Sequence, residues 1–144
     1  MSGTPAPFDK AVVRRLPRYR VPLAAPVVDG GVIEMPAGDF VQVANGSPVR
    51  FVAHLEFRAG APASRGNHYH HVKTEWLTVI RGRLRARYVD LDSGARRELV
   101  LEPGDQVRVL PRCAHSYAAL EDASVIECAS HAFDPSDAVA FAFD

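Results

Sequence analysis

Arg65-Gly66-Asn67-His68-Tyr69-His70-His71-Val72-Lys73-Thr74-Glu75 is the stretch on which the reading of this chain turns. His68 and His70 are separated by one residue, so on an extended strand both side chains leave the same face. Tyr69 and His71 then point the other way, toward packing or a contact between copies. Glu75 follows a short irregular stretch and opens Glu75 to Ile80, a run of strand-forming residues that stops at Arg81-Gly82. A third imidazole, His115, stands after the Gly104-Asp105 turn and one more strand. A lone His-x-His pair is ordinarily a surface or core feature. Three imidazoles with a carboxylate form a donor set suited to one borderline divalent ion.

Around this stretch the text is strands and turns. Val32 to Met35 ends at Pro36-Ala37-Gly38, and Phe40 to Ala44 ends at Asn45-Gly46. Arg50 to Arg58 alternates, with Phe51, Ala53, Leu55 and Phe57 on one face and Arg50, Val52, His54 and Glu56 on the other. Arg83 to Leu91 alternates again and turns at Asp92-Ser93-Gly94. Glu98 to Leu101, Gln106 to Leu110, Ala114 to Ala119 and Ser124 to Ala129 complete the set. Helix is not indicated anywhere except a turn near Ser136. Short strands at regular spacing predict an all-β sandwich or barrel, which hides its strand edges by closure or by a second sheet. Residues 1 to 30 carry Pro5, Pro7, Pro17, Pro22 and Pro26, which denies a long helix and predicts an extended N-terminal arm, with room for short edge strands, before a domain spanning 31–144.

At 144 residues the chain has the size of a single domain. Seventeen basic residues balance seventeen acidic ones, so no net field draws in nucleic acid or an anionic membrane. No apolar run approaches the roughly 20 residues that span a bilayer, and the N-terminus lacks the order of a signal peptide. Cys113 and Cys128 are too few for a disulfide scaffold. A cytoplasmic protein is the expectation.

The pattern His68-x-His70-x4-Glu75-x6-Gly82 resembles the first motif of the cupin superfamily, with the leading glycine displaced to Gly66. The second motif is less complete. Gly104 and His115 fall in place, whereas Leu110 stands at the proline position, Arg112 at the second glycine and Ala119 at the asparagine. The resemblance implies a single-domain cupin β-jelly-roll, a double-stranded β-helix, with His68, His70, Glu75 and His115 on one metal ion. Zinc is the first expectation, with iron, manganese or nickel able to use the same donors. The missing glycine leaves the backbone of the 110–114 turn open.

In a narrower likeness, Arg65 to Glu75 and Phe133-Asp134-Pro135-Ser136-Asp137 resemble the cupin domain that ends capsular-polysaccharide hexulose reductases. That family inverts a carbon beside the keto group of a nucleotide-linked deoxysugar, and related stand-alone cupins isomerise dTDP-linked keto sugars. The reductase domain that precedes the cupin in that family is not expected here, so the substrate need not carry over.

These likenesses imply a metal-dependent epimerase, isomerase or cyclase. Its substrate would be a small carbonyl compound such as a nucleotide-linked keto sugar or a polyketide. The same donors could hold Fe(II) in a dioxygenase, and a non-catalytic small-molecule-binding cupin is the third reading. Candidates for acid or base are His54, Lys73 and Tyr117, the last sharing the face of His115. Lys73 could equally contact phosphate or be a solvated turn residue. Arg50 and Arg65 are candidates for substrate binding. The face bearing Arg50, His54 and Glu56 is either the ligand site or the outside, because a buried trio of this kind is costly unless paired. Cys113 reads as a small buried side chain, and Arg83, Arg85 and Arg87 as a solvated stripe. A C2 homodimer, with the arm crossing to its neighbour, is expected; light scattering decides it.

Overall fold

The computed structural model describes residues 8–143, so the Pro5 and Pro7 part of the expected arm lies outside the described residues. The chain forms β1 (Ala11–Arg15), β2 (Arg18–Arg20), β3 (Gly31–Glu34), β4 (Phe40–Gln42), β5 (Phe51–Phe57), β6 (Arg65–Tyr69) and β7 (Glu75–Arg81). It continues through β8 (Leu84–Asp90), β9 (Arg96–Leu101), β10 (Asp105–Val109), β11 (Cys113–Ala119), β12 (Ala123–Ala129) and β13 (Val139–Ala140). One five-stranded sheet runs β1-β10-β7-β12-β5 and the other β13-β6-β11-β8-β9, with β2-β3-β4 as a small third sheet. The fold is all-β, as the alternation predicts, and its two large sheets form the jelly-roll that the resemblance implies. The turn near Ser136 is a short 3-10 turn at Pro135–Asp137.

The core lies between the two large sheets. Leu77 and Val79 of β7, Leu84, Ala86 and Tyr88 of β8, Val107 and Val109 of β10, and Val125 of β12 meet there. In β5 the apolar set Phe51, Ala53, Leu55 and Phe57 turns inward, and Val52, His54 and Glu56 are exposed. Burial of the apolar face drives this choice.

The N-terminal segment carries an edge strand. Ala11–Arg15 lies between Pro7 and Pro17, a window free of proline, and it pairs antiparallel with β10 of its own chain. Ala11 and Leu16 are buried at the ends of this pairing. The segment thus covers an edge of its own sheet.

Lys10, just before β1, ties it to the β8–β9 turn. Its ammonium donates to Asp90 at 2.6 Å and also meets Asp92. Asp90 further accepts the backbone N–H groups of Asp92 and Ser93. The bond from Lys10, helped by these amides, holds the Asp90 carboxyl down to about 2, below its ordinary 3.8. A lowered folded-state value means stability present above pH 3.8 and lost as pH falls toward 2. Asp90→Asn is therefore expected to be less stable than wild type at pH 7, with the gap closing between pH 4 and pH 2. Denaturation at stepped pH checks this, and a gap constant across that range would refute it.

Candidate metal centre

β6 and β11 bring two of the imidazoles together, because His68 and His115 stand opposite each other in the antiparallel pairing. The strands approach closely at Gly66, where φ is +87° and an added Cβ would lie 2.7 Å from the His115 carbonyl oxygen. Only glycine fits that approach. The register shifts between His115 and Ser116, and Asn67 takes φ +57°. His68 and His70 still face inward, their ring centroids 4.7 Å apart, and His68 lies 4.8 Å from His115. Glu75 opens β7 on the facing sheet, so the cluster sits between the two layers. One donor atom from each of His68, His70, Glu75 and His115 lies within 4.8 Å of the others.

The backbone fixes which imidazole nitrogen faces the centre. His70 Nδ1 lies 2.7 Å from the Asp137 carbonyl oxygen, and His115 Nδ1 lies 3.0 Å from that of Cys113. A carbonyl oxygen only accepts, so both Nδ1 atoms carry the proton and both Nε2 atoms present lone pairs. His70 Nε2 is 2.7 Å from Glu75 Oε1, yet it is buried and makes no hydrogen bond. His115 Nε2 lies 3.5 Å from Glu75 Oε2. With the proton on Nδ1, His70 Nε2 meets the Glu75 carboxylate acceptor to acceptor, a contact that a bound cation or a second proton relieves. Burial and the two neighbouring imidazoles push His68 down to about 4, and burial lowers His115, so both stay neutral near pH 7. Burial opposes ionisation of Glu75, but His70, His115 and Lys73 outweigh it and hold the carboxyl low. Neutral imidazoles and an ionised carboxylate are the protonation states a divalent ion requires. The donor set fits such an ion.

The C-terminal segment supplies the outer support. Asp137 offers its carbonyl to His70, and its carboxylate accepts the N–H groups of His71, Val72 and Lys73. That one carboxylate holds the first three residues of the turn joining His70 to Glu75, and Ser130 Oγ accepts the N–H of the fourth, Thr74, at 2.9 Å. On the other flank, Arg112 takes φ +62° at the position where the motif has glycine. Its N–H donates to the His70 carbonyl at 2.7 Å and its guanidinium to Asp92. The left-handed conformation survives without glycine, at about 1–2 kcal/mol, because these bonds fix it.

Three further side chains border the cluster. Lys73 is buried, with Nζ 3.2 Å from Glu75 Oε1 and 5.8 Å from the Phe51 ring centroid. Tyr117 is buried with its ring 5.9 Å from that of His115, and its hydroxyl shares a 3.2 Å hydrogen bond with Tyr88. Burial and Tyr88 raise the Tyr117 hydroxyl well above its usual 10, so it stays protonated. Glu127 is the residue that sequence reading missed. It sits on β12 opposite Ala53 and Leu77, both of which point inward. Burial and the adjacent Glu75 carboxylate push its carboxyl up to about 8. A lone acidic residue between inward Val125 and Ala129 was the available signal.

The structure separates other candidates from the cluster. His54 is exposed on the outer face of β5, bonded to Ser124 at 2.8 Å and 3.0 Å from Glu56. Arg50 is exposed too, beside His131 and Phe133. Of the two readings of that face, the outside is correct, because the apolar alternate residues claim the inside. Arg65 lies at the rim, its guanidinium 5.4 Å from the Phe57 ring centroid. Cys113 is fully buried, with its thiol pushed up to about 12 chiefly by burial. Arg83 pairs with Glu121 and Arg85 with Glu98 in a solvated stripe. Among the described residues no helix is long and apolar enough to cross a membrane.

Comparisons with known proteins agree with this architecture. Among solved structures, a 3'-monoepimerase from Streptomyces bikiniensis, in complex with dTDP-quinovose, superposes with TM-score 0.71 at 15% identity. That match covers 94% of this chain and 71% of the other. A 3,4-ketoisomerase from Thermoanaerobacterium thermosaccharolyticum, in complex with TDP-4-keto-6-deoxyglucose, gives 0.69 at 12% identity, covering 92% and 88%. The rmlC epimerase of Mycobacterium tuberculosis gives 0.65 at 19% identity, covering 78% of this chain and 66% of that enzyme's length. At such identities the likeness establishes the fold alone. No curated protein matches in sequence. The family model described as "Cupin domain" matches residues 53–128, more than half of the chain, from within β5 to within β12. This chain belongs to the cupin family.

Proposed function

We propose that this protein is a metal-dependent isomerase or epimerase of a small carbonyl compound. The observation that carries the proposal is the pair of Nε2 lone pairs set against the Glu75 carboxylate, with His70 Nε2 buried and unpartnered. His68, His70, Glu75 and His115 would hold the ion, zinc first, and iron, manganese or nickel suit the same donors. Such an ion supplies Lewis acidity toward a carbonyl oxygen. The epimerase and ketoisomerase activities printed for the structural neighbours support this reaction class.

The rest of the work falls to this chain's own side chains. Isomerisation beside a carbonyl moves a proton off one carbon and returns one, so it needs groups that hold and release protons. Glu127 takes the place that the sequence offered to His54, since it faces the cluster and carries its proton near neutrality. Tyr117, held by Tyr88, is a donor to an oxygen in the bowl rather than a base. Lys73 keeps the Glu75 carboxylate in place and balances its charge.

Solvent-deuterium exchange into TDP-4-keto-6-deoxyglucose, the ligand of the Thermoanaerobacterium neighbour, and into a panel of smaller keto compounds tests the proposal. Glu127→Gln is expected to slow exchange by about a hundredfold or more while retaining metal. His54→Ala is expected to leave it unchanged. Undiminished exchange in Glu127→Gln would remove Glu127 from the reaction, and no exchange into any substrate by the wild type would remove the isomerase.

A further inference from the structure

Among the described residues two side chains other than glycine stand at positive φ, Arg112 and Asn67, and both adjoin the donor cluster. Arg112 is held by its bonds to His70 and Asp92. Asn67, at φ +57°, lies inside β6 and directly before His68. A residue in a regular strand keeps φ near roughly −120° to −140°. Gly66, just before it, is left-handed too, at φ +87°.

The pairing with β11 shows what this backbone does. Tyr117 stands opposite Arg65, Ser116 opposite Gly66 and His115 opposite His68, so β6 carries one residue, Asn67, that β11 does not match. Such an extra residue is a β-bulge, and it changes the side that later residues face. Tyr117 and His115 both point inward, so their partners Arg65 and His68 lie on that same side of the ladder. Those partners are three positions apart, which strict alternation forbids. In an unbulged strand that keeps Arg65 opposite Tyr117, Asn67 would meet His115, and His68 and His70 would face outward.

Asparagine takes the left-handed conformation more readily than most residues with a side chain, and this one is tied from several directions. Its Nδ2 donates to the Ser64 carbonyl oxygen at 3.2 Å and to Ser64 Oγ at 3.0 Å. Ser116, buried on β11 across the bulge, donates from its hydroxyl to Ser64 Oγ at 3.1 Å. The Asn67 carbonyl oxygen accepts the Phe141 N–H at 2.8 Å, which joins the C-terminal strand to the same point. None of these groups belongs to the donor set, so they act on it only through the backbone.

We propose that Asn67 is a positioning residue of the metal centre: the bulge it forms with Gly66 turns His68 and His70 inward to meet Glu75 and His115. Ser64 and Ser116 hold that bulge. The proposal rests on the metal reading for what the imidazoles bind, but not for where they point.

Two readouts on the full chain test it: zinc affinity by competition with a chelating dye, and NOE contacts between the His68 and His115 rings in zinc-free protein. Asn67→Val places a β-branched residue at positive φ, which it holds poorly. It is expected to weaken zinc binding by about 10–100-fold and to lose the ring contact, whose centroids stand 4.8 Å apart. Asn67→Ala makes the same demand more mildly, and is expected to change both readouts in the same direction if Asn67→Val does not fold. Asn67→Gly adopts the left-handed backbone freely, so it should keep the contact and an affinity within about threefold of wild type. Gly94→Val strains the β8–β9 turn in the same way, at φ +75° with open space around it, and should lose stability while leaving both readouts unchanged. Zinc affinity or a ring contact retained in Asn67→Val, or equal damage in Asn67→Gly, would overturn the proposal. A wild type that shows the ring contact and binds no zinc would refute the metal reading, and loss of the contact in Asn67→Val would still support the positioning role.

Discussion

Glu75→Ala is expected to lower the affinity for a divalent ion by more than a hundredfold. Glu75 is the one carboxylate among the four donors, and both of its oxygens face imidazole Nε2 atoms, at 2.7 and 3.5 Å. Removing it takes away a ligand and also the counter-charge of Lys73, whose ammonium lies 3.2 Å from Oε1 and is buried. The unpaired ammonium would then repel the incoming cation at short range, where water screens little. Loss of a hydrogen-bonding partner behind a ligand typically weakens metal binding 10–100-fold, and loss of the charged ligand should exceed that. Glu75→Gln keeps the shape and drops the charge, so it should fall between. Competition against a chelating dye reads the constants. An affinity within about threefold of wild type in Glu75→Ala would contradict the assignment of this carboxylate.

Gly82→Ala is expected to remove about 2–5 kcal/mol of folding stability. Gly82 turns the chain from β7 into β8 with φ +79°, a conformation that disfavours an L side chain by about 1–2 kcal/mol. A Cβ there would also lie 2.2 Å from the Asp122 carbonyl oxygen and 2.6 Å from Ala123 Cα. Both are backbone atoms, so the β11–β12 turn must move, at about 1–3 kcal/mol. Gly94 provides the control, with φ +75° and no atom within 4 Å of an added Cβ. Gly94→Ala should therefore lose only the conformational part. Urea denaturation of the two variants separates the contributions, and equal losses would show that close packing at Gly82 carries no weight. Against a total of about 5–15 kcal/mol for a typical domain, the larger loss is visible at once.

The glycine and the donors were legible for the same reason: both are fixed by local geometry that spacing reports. His68 and His70 share a face because strand period is two, and Gly82 ends the strand that Glu75 begins. Alternation in β5 showed two faces without saying which was inside, so His54 and Arg50 stood as candidates until the apolar set was seen to claim the interior. Glu127 escaped notice because nothing in its neighbours marks chemistry. Its role follows from lying across β12 from Leu77 and next to Glu75, a contact between strands remote in sequence. The support from Asp137 is of the same kind, a tail residue returning to hold a loop more than sixty positions earlier. β1 was legible only as one of the short edge strands the arm allows, because its pairing with β10 is set by residues remote in sequence. At Arg112 the missing glycine had left the turn open. The hydrogen bond to His70 and the pair with Asp92 hold the left-handed backbone that glycine would have adopted more easily.

Elemental analysis of untagged protein, purified without chelators beside His70→Ala, addresses the central claim most directly. The account predicts close to one divalent ion per chain in the wild type, and loss of it in a variant that remains folded. Folded wild-type protein that holds no metal, and takes up none from added zinc, manganese, nickel or ferrous iron, would contradict it.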